Sequence, residues 1–364
     1  MVRDRMKVYR ALLMGLFLAH TAGAQEARQL ADAVISRFLA EPRIPVNYTN
    51  DLTLNAILAM KDATGDARYL ESVQSVMERR GMPPGYVHPY RSQPFCSISL
   101  ELLLRTQDER YQQPFLMESA KYREEAPRAF DGAISHYGEP EMGRILIDQL
   151  QDYAYRMACT GRIGGDAGYY REALEQYRLF RSALRNPKTG LWGHARGWFD
   201  SPASIVPVAW GRGQGWVLRG MVESLRCLPQ DSREGRQMQQ WMRELAAALV
   251  RYQDREGMWH QVVDRPDSYA ETSATGLIVY YFARAVRQGD LPERPYAQAA
   301  LRGFEALKSR IDPDGIVKGT CVGTPPQKTT EDYLAREQRD DDPHGRAAAI
   351  FACAGRILLE RPGR

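Results

Sequence analysis

An all-α protein assembled from helical hairpins is what this sequence predicts, on three observations. Apolar residues recur at helical spacing along most of the chain, and the alternation that marks strands is nearly absent. A turn signature repeats as Thr64-Gly65-Asp66-Ala67-Arg68-Tyr69, Thr106-Gln107-Asp108-Glu109-Arg110-Tyr111 and Gly164-Gly165-Asp166-Ala167-Gly168-Tyr169, with a looser copy at Gln288-Gly289-Asp290 and Tyr296. No Ser/Gly/Pro-rich linker interrupts the chain, which favours one closed domain over two. In the repeated turn, glycine ends one helix in the left-handed conformation and aspartate caps the next. A tyrosine just inside the second helix packs back on the corner. Corners spaced roughly forty to sixty residues apart describe a helical-hairpin repeat.

In chain order, helices are predicted near 28–41, 51–63, 66–80, 97–106, 109–122, 141–160, 166–185, 213–226, 232–253, 272–288, 293–310 and 345–360. The three full copies of the turn fall between the second and third, fourth and fifth, and sixth and seventh of these. The looser copy falls between 272–288 and 293–310. Helices in hairpin pairs satisfy either a closed (α/α) toroid or an open solenoid, and periodicity alone does not separate them.

Ahead of the first helix, Arg3, Arg5, Lys7 and Arg10 precede an apolar run from Ala11 to Ala19, and Ala22-Gly23-Ala24 follows. Basic, apolar and small-x-small segments in that order make a secretory signal. Residues 1–24 are therefore expected to be removed, leaving 25–364 as a single domain that is exported, either periplasmic or secreted. The apolar run is too short to span a bilayer and no later run is long enough, so no membrane association is expected after signal removal. Lys and Arg number 49 against 45 Asp and Glu, interspersed, with no basic block or stripe, which speaks against nucleic acid as a partner. The cysteines, Cys96, Cys159, Cys227, Cys321 and Cys353, are scattered and form no CxxC pair. They make neither a disulfide scaffold nor a zinc site. One disulfide suits an exported protein, but the spacing does not say which.

The longer connections, 81–96, 123–140, 186–212, 254–271 and 311–344, carry His88, His136, His194, His260 and His344, every histidine beyond residue 24. Trp192, Trp198, Trp210 and Trp259 lie there too. Long loops on a rigid scaffold concentrate function, and alternate connections of a toroid emerge on one rim, where they would surround one pocket. No two histidines sit at a ligand spacing and there is no HExxH, so no metal is expected. A GxSxG elbow, a phosphate loop and a dinucleotide fingerprint are also missing, so neither a serine nucleophile nor a cofactor is supported. Carboxylates remain. Asp148 and Asp152 are placed one turn apart on the predicted helix 141–160. Ile145, Leu146, Ile147 and Leu150 surround Asp148, and Tyr153 and Tyr155 follow. An acid among apolar side chains holds its proton to higher pH, which suits a proton donor.

The stretch Trp210-Gly211-Arg212-Gly213-Gln214-Gly215-Trp216 combines two indoles, three glycines and an arginine. One reading is a stacking platform on one helix face, backbone that a ligand approaches closely, and a planar fork for a carboxylate. An acidic sugar needs those features. The same residues also suit a glycine-rich turn capping a helix whose tryptophans sit in the core.

The series Ile147-Asp148-Gln149-Leu150, Gly165-Asp166-Ala167-Gly168-Tyr169-Tyr170, Gly190-Leu191-Trp192-Gly193-His194 and the Trp210–Trp216 stretch is ordered along the chain. It continues with Met258-Trp259-His260-Gln261-Val262-Val263-Asp264, Tyr269-Ala270-Glu271-Thr272-Ser273-Ala274, Gly319-Thr320-Cys321-Val322-Gly323-Thr324 and Asp342-Pro343-His344-Gly345. The whole series resembles glycoside hydrolase family 105, the unsaturated rhamnogalacturonyl hydrolases, and more weakly the unsaturated glucuronyl hydrolases of family 88. The resemblance implies an (α/α)6 barrel. It also implies a substrate carrying a 4,5-unsaturated uronic acid at the non-reducing end of a lyase-generated oligosaccharide. An acid protonates C4 of the enol ether, water adds at C5, and the hemiketal collapses to release the saturated neighbour. By the same resemblance Asp148 is the acid/base, and His136, His194, Arg212, Trp216 and His344 contact substrate. One departure stands out. Relatives often carry a further acidic residue before the Thr106 turn, whereas Tyr86 to Leu100 contains no Asp or Glu. Ser92 or Gln93 would replace it there, with Glu139, Glu141 and Asp152 as other candidates. The alternatives are an epimerase-like barrel enzyme using His260 and His344, and a catalytically silent glycan-binding protein that keeps the tryptophans.

Overall fold

The computed structural model describes residues 22–89, 98–136 and 143–361. Its helices are α1 (22–39), α2 (Tyr48–Thr64), α3 (Arg68–Arg79), α4 (Ile98–Thr106), α5 (Gln112–Glu125), α6 (Tyr153–Gly164) and α7 (Ala167–Leu184). They continue with α8 (Gly211–Leu225), α9 (Arg233–Arg251), α10 (Thr272–Gln288), α11 (Glu293–Lys308), the short α12 (Thr330–Leu334) and α13 (Pro343–Glu360). Most of the expected export signal, residues 1–21, lies outside the described residues.

The repeated corners form as their residues dictate. Gly65 and Gly165 take φ of 79° and 72°, and Gln107 occupies the equivalent place at 54°. Asp66, Asp108 and Asp166 then accept the backbone N–H two residues on, at 3.1, 3.1 and 2.7 Å. The looser copy departs: Gly289 is left-handed, but Asp290 accepts from Gln239 and Pro292 stands at the cap of α11.

Successive helices alternate between two layers. Helix α8 is buried along its whole length, whereas α9 buries one stripe, including Met238, Met242, Leu245 and Leu249. The inner helices are α2, α4, α6, α8, α10 and α13. Helix α13 packs on both α10 and α2, so the last inner helix meets the first. An open solenoid would hold those two apart; their contact closes the (α/α)6 barrel. Helix α1 completes the outer layer against α13: the Arg346 guanidinium lies 4.9 Å from the Phe38 ring centroid, and the Ala24 amide donates to Glu360 at 3.1 Å.

Inner-to-outer connections are the short corners, and outer-to-inner connections are the long loops. The N-terminal ends of the inner helices therefore share one rim with the five histidines. The other end is floored by a closed cycle of buried ion pairs. Asp62 of α2 pairs with Arg105 of α4 at 2.7 Å, and Arg105 with Glu101. Glu101 faces Arg226 at 3.8 Å, Arg226 pairs with Glu223 of α8, Glu223 with Arg284 of α10 at 3.2 Å, and Arg284 returns to Asp62 at 3.6 Å. Burial pushes the Glu101 carboxyl up, but the arginines win and hold it at about 2.

The predicted helix 141–160 is corrected. Gly143 is left-handed at φ 55°, Ile145–Leu146 form strand β1, residues Ile147–Gln151 a 3-10 turn, and only then does α6 begin. Strand β1 pairs antiparallel with β2 (Ala195–Arg196), and β2 with β3 (Ile205–Val206). A short apolar run with β-branched Ile145 and Ile147 fits a pleated strand as well as a helix, and long-range pairing decides between them. A second small sheet pairs β4 (Thr320–Cys321) with β5 (Gln338–Arg339).

A disulfide joins Cys159 of α6 to Cys227, just beyond α8, while Cys321 and Cys353 are buried thiols. Cys96 lies outside the described residues. Among the described residues no helix is long and apolar enough to cross a membrane.

Candidate active site

Asp148 is displayed by the 3-10 turn that follows β1. The Gln149 side chain accepts the Leu146 amide at 2.9 Å, which closes the turn on itself, and the Ile147 amide donates to the His194 carbonyl at 3.1 Å, which ties the start of the turn to the residue before β2. The Asp148 side chain is only 17% exposed, and its Oδ2 stands 3.9 Å from His194 Nε2. Neither atom has a hydrogen-bond partner among the described residues. Burial pushes the Asp148 carboxyl up to about 7, against a smaller downward pull from Arg212. Asp148 therefore holds a proton near neutral pH.

His194 is fully buried, and burial followed by the Arg212 charge depresses it to about 3, so its ring is neutral. Its Nδ1 lies 2.5 Å from Tyr333 Oη, which already accepts the Gln327 amide at 3.1 Å. The tautomer that uses the remaining Tyr333 proton has it donate to Nδ1 and leaves N–H on Nε2, facing Asp148.

The Trp210–Trp216 stretch organises this pair. Trp210 is the N-cap of α8 and its ring lies 4.4 Å from the His194 ring. Gln214, buried in α8, exchanges two hydrogen bonds with the Trp192 backbone at 2.9 and 2.7 Å, which sets the loop that delivers His194. Gly213 admits Ile147, because a Cβ there would sit 2.4 Å from Ile147 Cδ1. That glycine permits close packing next to Asp148, not approach of a ligand.

Arg212 is 1% exposed, and its guanidinium lies 4.8 Å from the Trp210 ring. Nη1 donates to Ser273 Oγ and the Cys321 carbonyl at 3.0 and 2.8 Å, and Nη2 donates to the Val322 carbonyl at 2.9 Å. The fork expected to clamp a uronate is thus occupied by the 320–334 loop, the segment that carries Tyr333. Glu271 caps α10 beneath it and accepts from Ser273, Ala274 and Cys321.

Of the other expected contacts, His344 opens α13 with both ring nitrogens engaged: Nδ1 with Asp342 at 2.6 Å and Nε2 with Tyr48 Oη at 2.5 Å. Burial and Arg212 lower its pKa, against Asp342. His136 lies beside Trp198, ring centroids 5.2 Å apart, and Trp198 Nε1 donates to the carbonyl of Ile145 in β1, the strand that leads into the Asp148 turn. Burial, then Arg144, lowers the His136 pKa.

Trp216 lies six residues beyond the capping Trp210, so the two do not share a helix face; it is 2% exposed in the core of α8. Asp152, expected one helical turn from Asp148, instead closes the 3-10 turn and accepts from Tyr122 of α5 at 3.1 Å. Burial raises it to about 7 as well, but it is engaged by Tyr122 rather than facing His194 as Asp148 does. His260 pairs with Asp254 at 3.0 Å. With His344 committed to Asp342 and Tyr48, the two histidines of the epimerase-like alternative are each held elsewhere. Ser92, Gln93, Glu139 and Glu141 lie outside the described residues.

Sequence reasoning missed Tyr333, Gln214, Asp342 and Tyr48. Only Asp342 left a local signal, as an N-cap aspartate two residues before His344.

The fold and the site together define a carbohydrate-active helical barrel. The profile of Glycosyl Hydrolase Family 88 matches residues 22–359, and the chain belongs to that family of glycoside hydrolases. It is 29% identical over 225 residues to unsaturated rhamnogalacturonyl hydrolase YesR of Bacillus subtilis, a match covering 59% of this chain and 62% of that protein. Among solved structures, a possible member of the GH105 family from Salmonella enterica serovar Paratyphi A superposes with a TM-score of 0.78 at 23% identity, covering 92% of this chain and 94% of that one. An unsaturated glucuronyl hydrolase from Bacillus sp. GL1 superposes with a TM-score of 0.62 at 18% identity, covering 91% and 96%.

Proposed function

We propose that this protein removes a 4,5-unsaturated uronic acid from the non-reducing end of lyase-generated oligosaccharides. The observation that carries the reading is Asp148, a buried carboxyl lifted to about 7 that faces a neutral His194 across 3.9 Å. Hydration of an enol ether needs one group that delivers a proton to carbon and then takes one from water. Asp148 gives its proton to C4, water attacks C5, and the resulting carboxylate accepts the proton that water sheds. His194, with N–H on Nε2, orients the water or the developing hydroxyl. The C5 hemiketal then opens to a ketone, which leaves C1 as a hemiacetal; that hemiacetal collapses to the aldehyde and releases the neighbouring sugar with a free hydroxyl. A single carboxyl suffices, unlike the paired carboxylates of ordinary glycosidases. The buried Arg212 charge and the N-terminal ends of the inner helices favour an anionic sugar on this rim. The names of the relatives support the substrate class.

The same reading includes export. Residues 1–24 have the order of a secretory signal, and the Cys159–Cys227 disulfide suits an oxidising compartment.

Incubation with unsaturated oligosaccharides made by pectin, ulvan and glycosaminoglycan lyases tests the activity. The ultraviolet absorbance of the conjugated double bond should disappear, with release of the saturated fragment. Unchanged absorbance on every one of them would refute the reading.

A further inference from the structure

Among the described residues the most exposed large apolar side chain is Phe130, at 68%. A single exposed aromatic calls for no explanation by itself, but Phe130 is built into its place. It occupies the turn between Arg128 and Ile134, which pair as an isolated bridge. One face of its ring is covered by the Arg196 guanidinium, 4.5 Å from the centroid. Arg196 is itself buried, and Asp131 grips it in a two-pronged pair at 2.7 and 3.0 Å. The other face of the ring is open to solvent. An aromatic seated on a guanidinium that a carboxylate holds in place is a rigid shelf.

The shelf is continuous with the catalytic pair. Arg196 lies in β2, opposite Ile145 of β1 and Ile205 of β3. His194 extends the same ladder, since its amide donates to the Val206 carbonyl at 2.9 Å and its carbonyl accepts from Ile147 at 3.1 Å. Side chains two positions apart on a strand share a face, roughly 7 Å apart. His194 and Arg196 therefore sit on the same face of the ladder, and Phe130 packs on the Arg196 guanidinium. Ile205, 50% exposed, adds an apolar edge on the far strand.

We infer that Phe130, seated on Arg196, is a stacking platform for the neutral sugar rings on the reducing side of the scissile bond. This rests on the reading of Asp148 and His194 as the reacting end. A pyranose presents a face of C–H bonds that packs on an aromatic ring. The Arg196 charge is already matched by Asp131, so the shelf offers apolar contact and no free charge, which selects uncharged rings.

Two measurements separate this proposal from the activity itself. First, calorimetry follows binding of the saturated reducing-side fragment, which needs no turnover, to the wild-type chain and to Phe130→Ala and Phe130→Trp. Phe130→Ala should weaken binding about five- to tenfold, and Phe130→Trp should keep it. Second, kinetics compare an unsaturated tetrasaccharide with the methyl glycoside of the unsaturated uronic acid. Phe130→Ala should raise KM for the tetrasaccharide by the same factor, leave kcat unchanged and leave the methyl glycoside unaffected. If the fragment binds Phe130→Ala as tightly as wild type, or does not bind the wild-type chain, the platform is refuted. If the wild-type chain turns over neither substrate, the activity reading fails while the binding comparison still decides the platform.

Discussion

Replacing Asp148 by asparagine separates its work as a proton holder from its place in the fold. In the folded chain the carboxyl is held near 7, against an ordinary 3.8. Below about pH 4 the acid is protonated in folded and unfolded chains alike, so it contributes no difference. As pH rises from about 4 to 7, the unfolded chain gives up the proton while the folded chain keeps it, and stability declines. Above 7 the buried carboxylate carries its full cost, on the order of 4 kcal/mol. Asparagine has no such cost. Asp148→Asn should therefore match wild type near pH 4 and exceed it at pH 8 by up to about 4 kcal/mol, while turnover falls at least about 10²- to 10⁴-fold. Guanidinium denaturation followed by tryptophan fluorescence at pH 4, 6 and 8, beside rates from the ultraviolet assay, reads both quantities. Asp152→Asn is the control. Its carboxyl is also raised to about 7 and should show the same slope of stability with pH, but it is tied to Tyr122 and should keep turnover. A stability gain for Asp148→Asn that ignores pH, or near-normal rates in that variant, would refute the reasoning.

Three further outcomes are expected. The rate on unsaturated oligosaccharides should fall as pH rises through about 7, because in the proposed reaction the protonated form of Asp148 acts first, and no second transition from His194 should appear above about pH 4. Arg212→Lys should lower kcat at least about tenfold and destabilise by about 2–4 kcal/mol, since lysine cannot bridge Ser273, Cys321 and Val322 at once; hydrogen exchange should show 320–334 opening first, and an unchanged exchange pattern there would count against the loop-fastening role. Glu223→Gln should cost roughly 3–5 kcal/mol in thermal or chemical unfolding, because it removes the shared partner of Arg226 and Arg284 inside the barrel, while KM of the folded fraction stays put.

The parts of this molecule that sequence made legible are the ones written locally. Gly65-Asp66 and Gly165-Asp166 are corners because the φ and the capping bond involve neighbours only. Asp148 was legible as a candidate because its apolar neighbours travel with it in sequence. Closure of the ring was not, because it depends on α13 meeting α2 across most of the chain. Strand β1 was not either, since nothing between Ile145 and Leu150 announces pairing with Ala195 and Arg196. The same limit explains Arg212. Its residue type fits a carboxylate, and only the fold shows that the Cys321 and Val322 carbonyls, some 110 residues downstream, have taken the fork. Tyr333, which holds His194 from 139 positions away, had no local mark at all.

The placement of Arg212 also explains how a protonated acid survives beside a buried cation. A bare guanidinium next to Asp148 would drive the carboxyl down, since an opposite charge within a few ångströms favours the ionised form. Here that guanidinium is solvated by two carbonyls and the Ser273 hydroxyl, and the same hydroxyl donates to Glu271 at 2.7 Å. Beyond that hydroxyl the Glu271 carboxylate supplies an opposite charge, which offsets part of the cation's field. Burial then dominates at Asp148. The charge still helps to hold His194 neutral, where burial acts in the same direction. One buried cation thus leaves the acid protonated and the imidazole uncharged, the pair of states that addition of a proton to carbon requires.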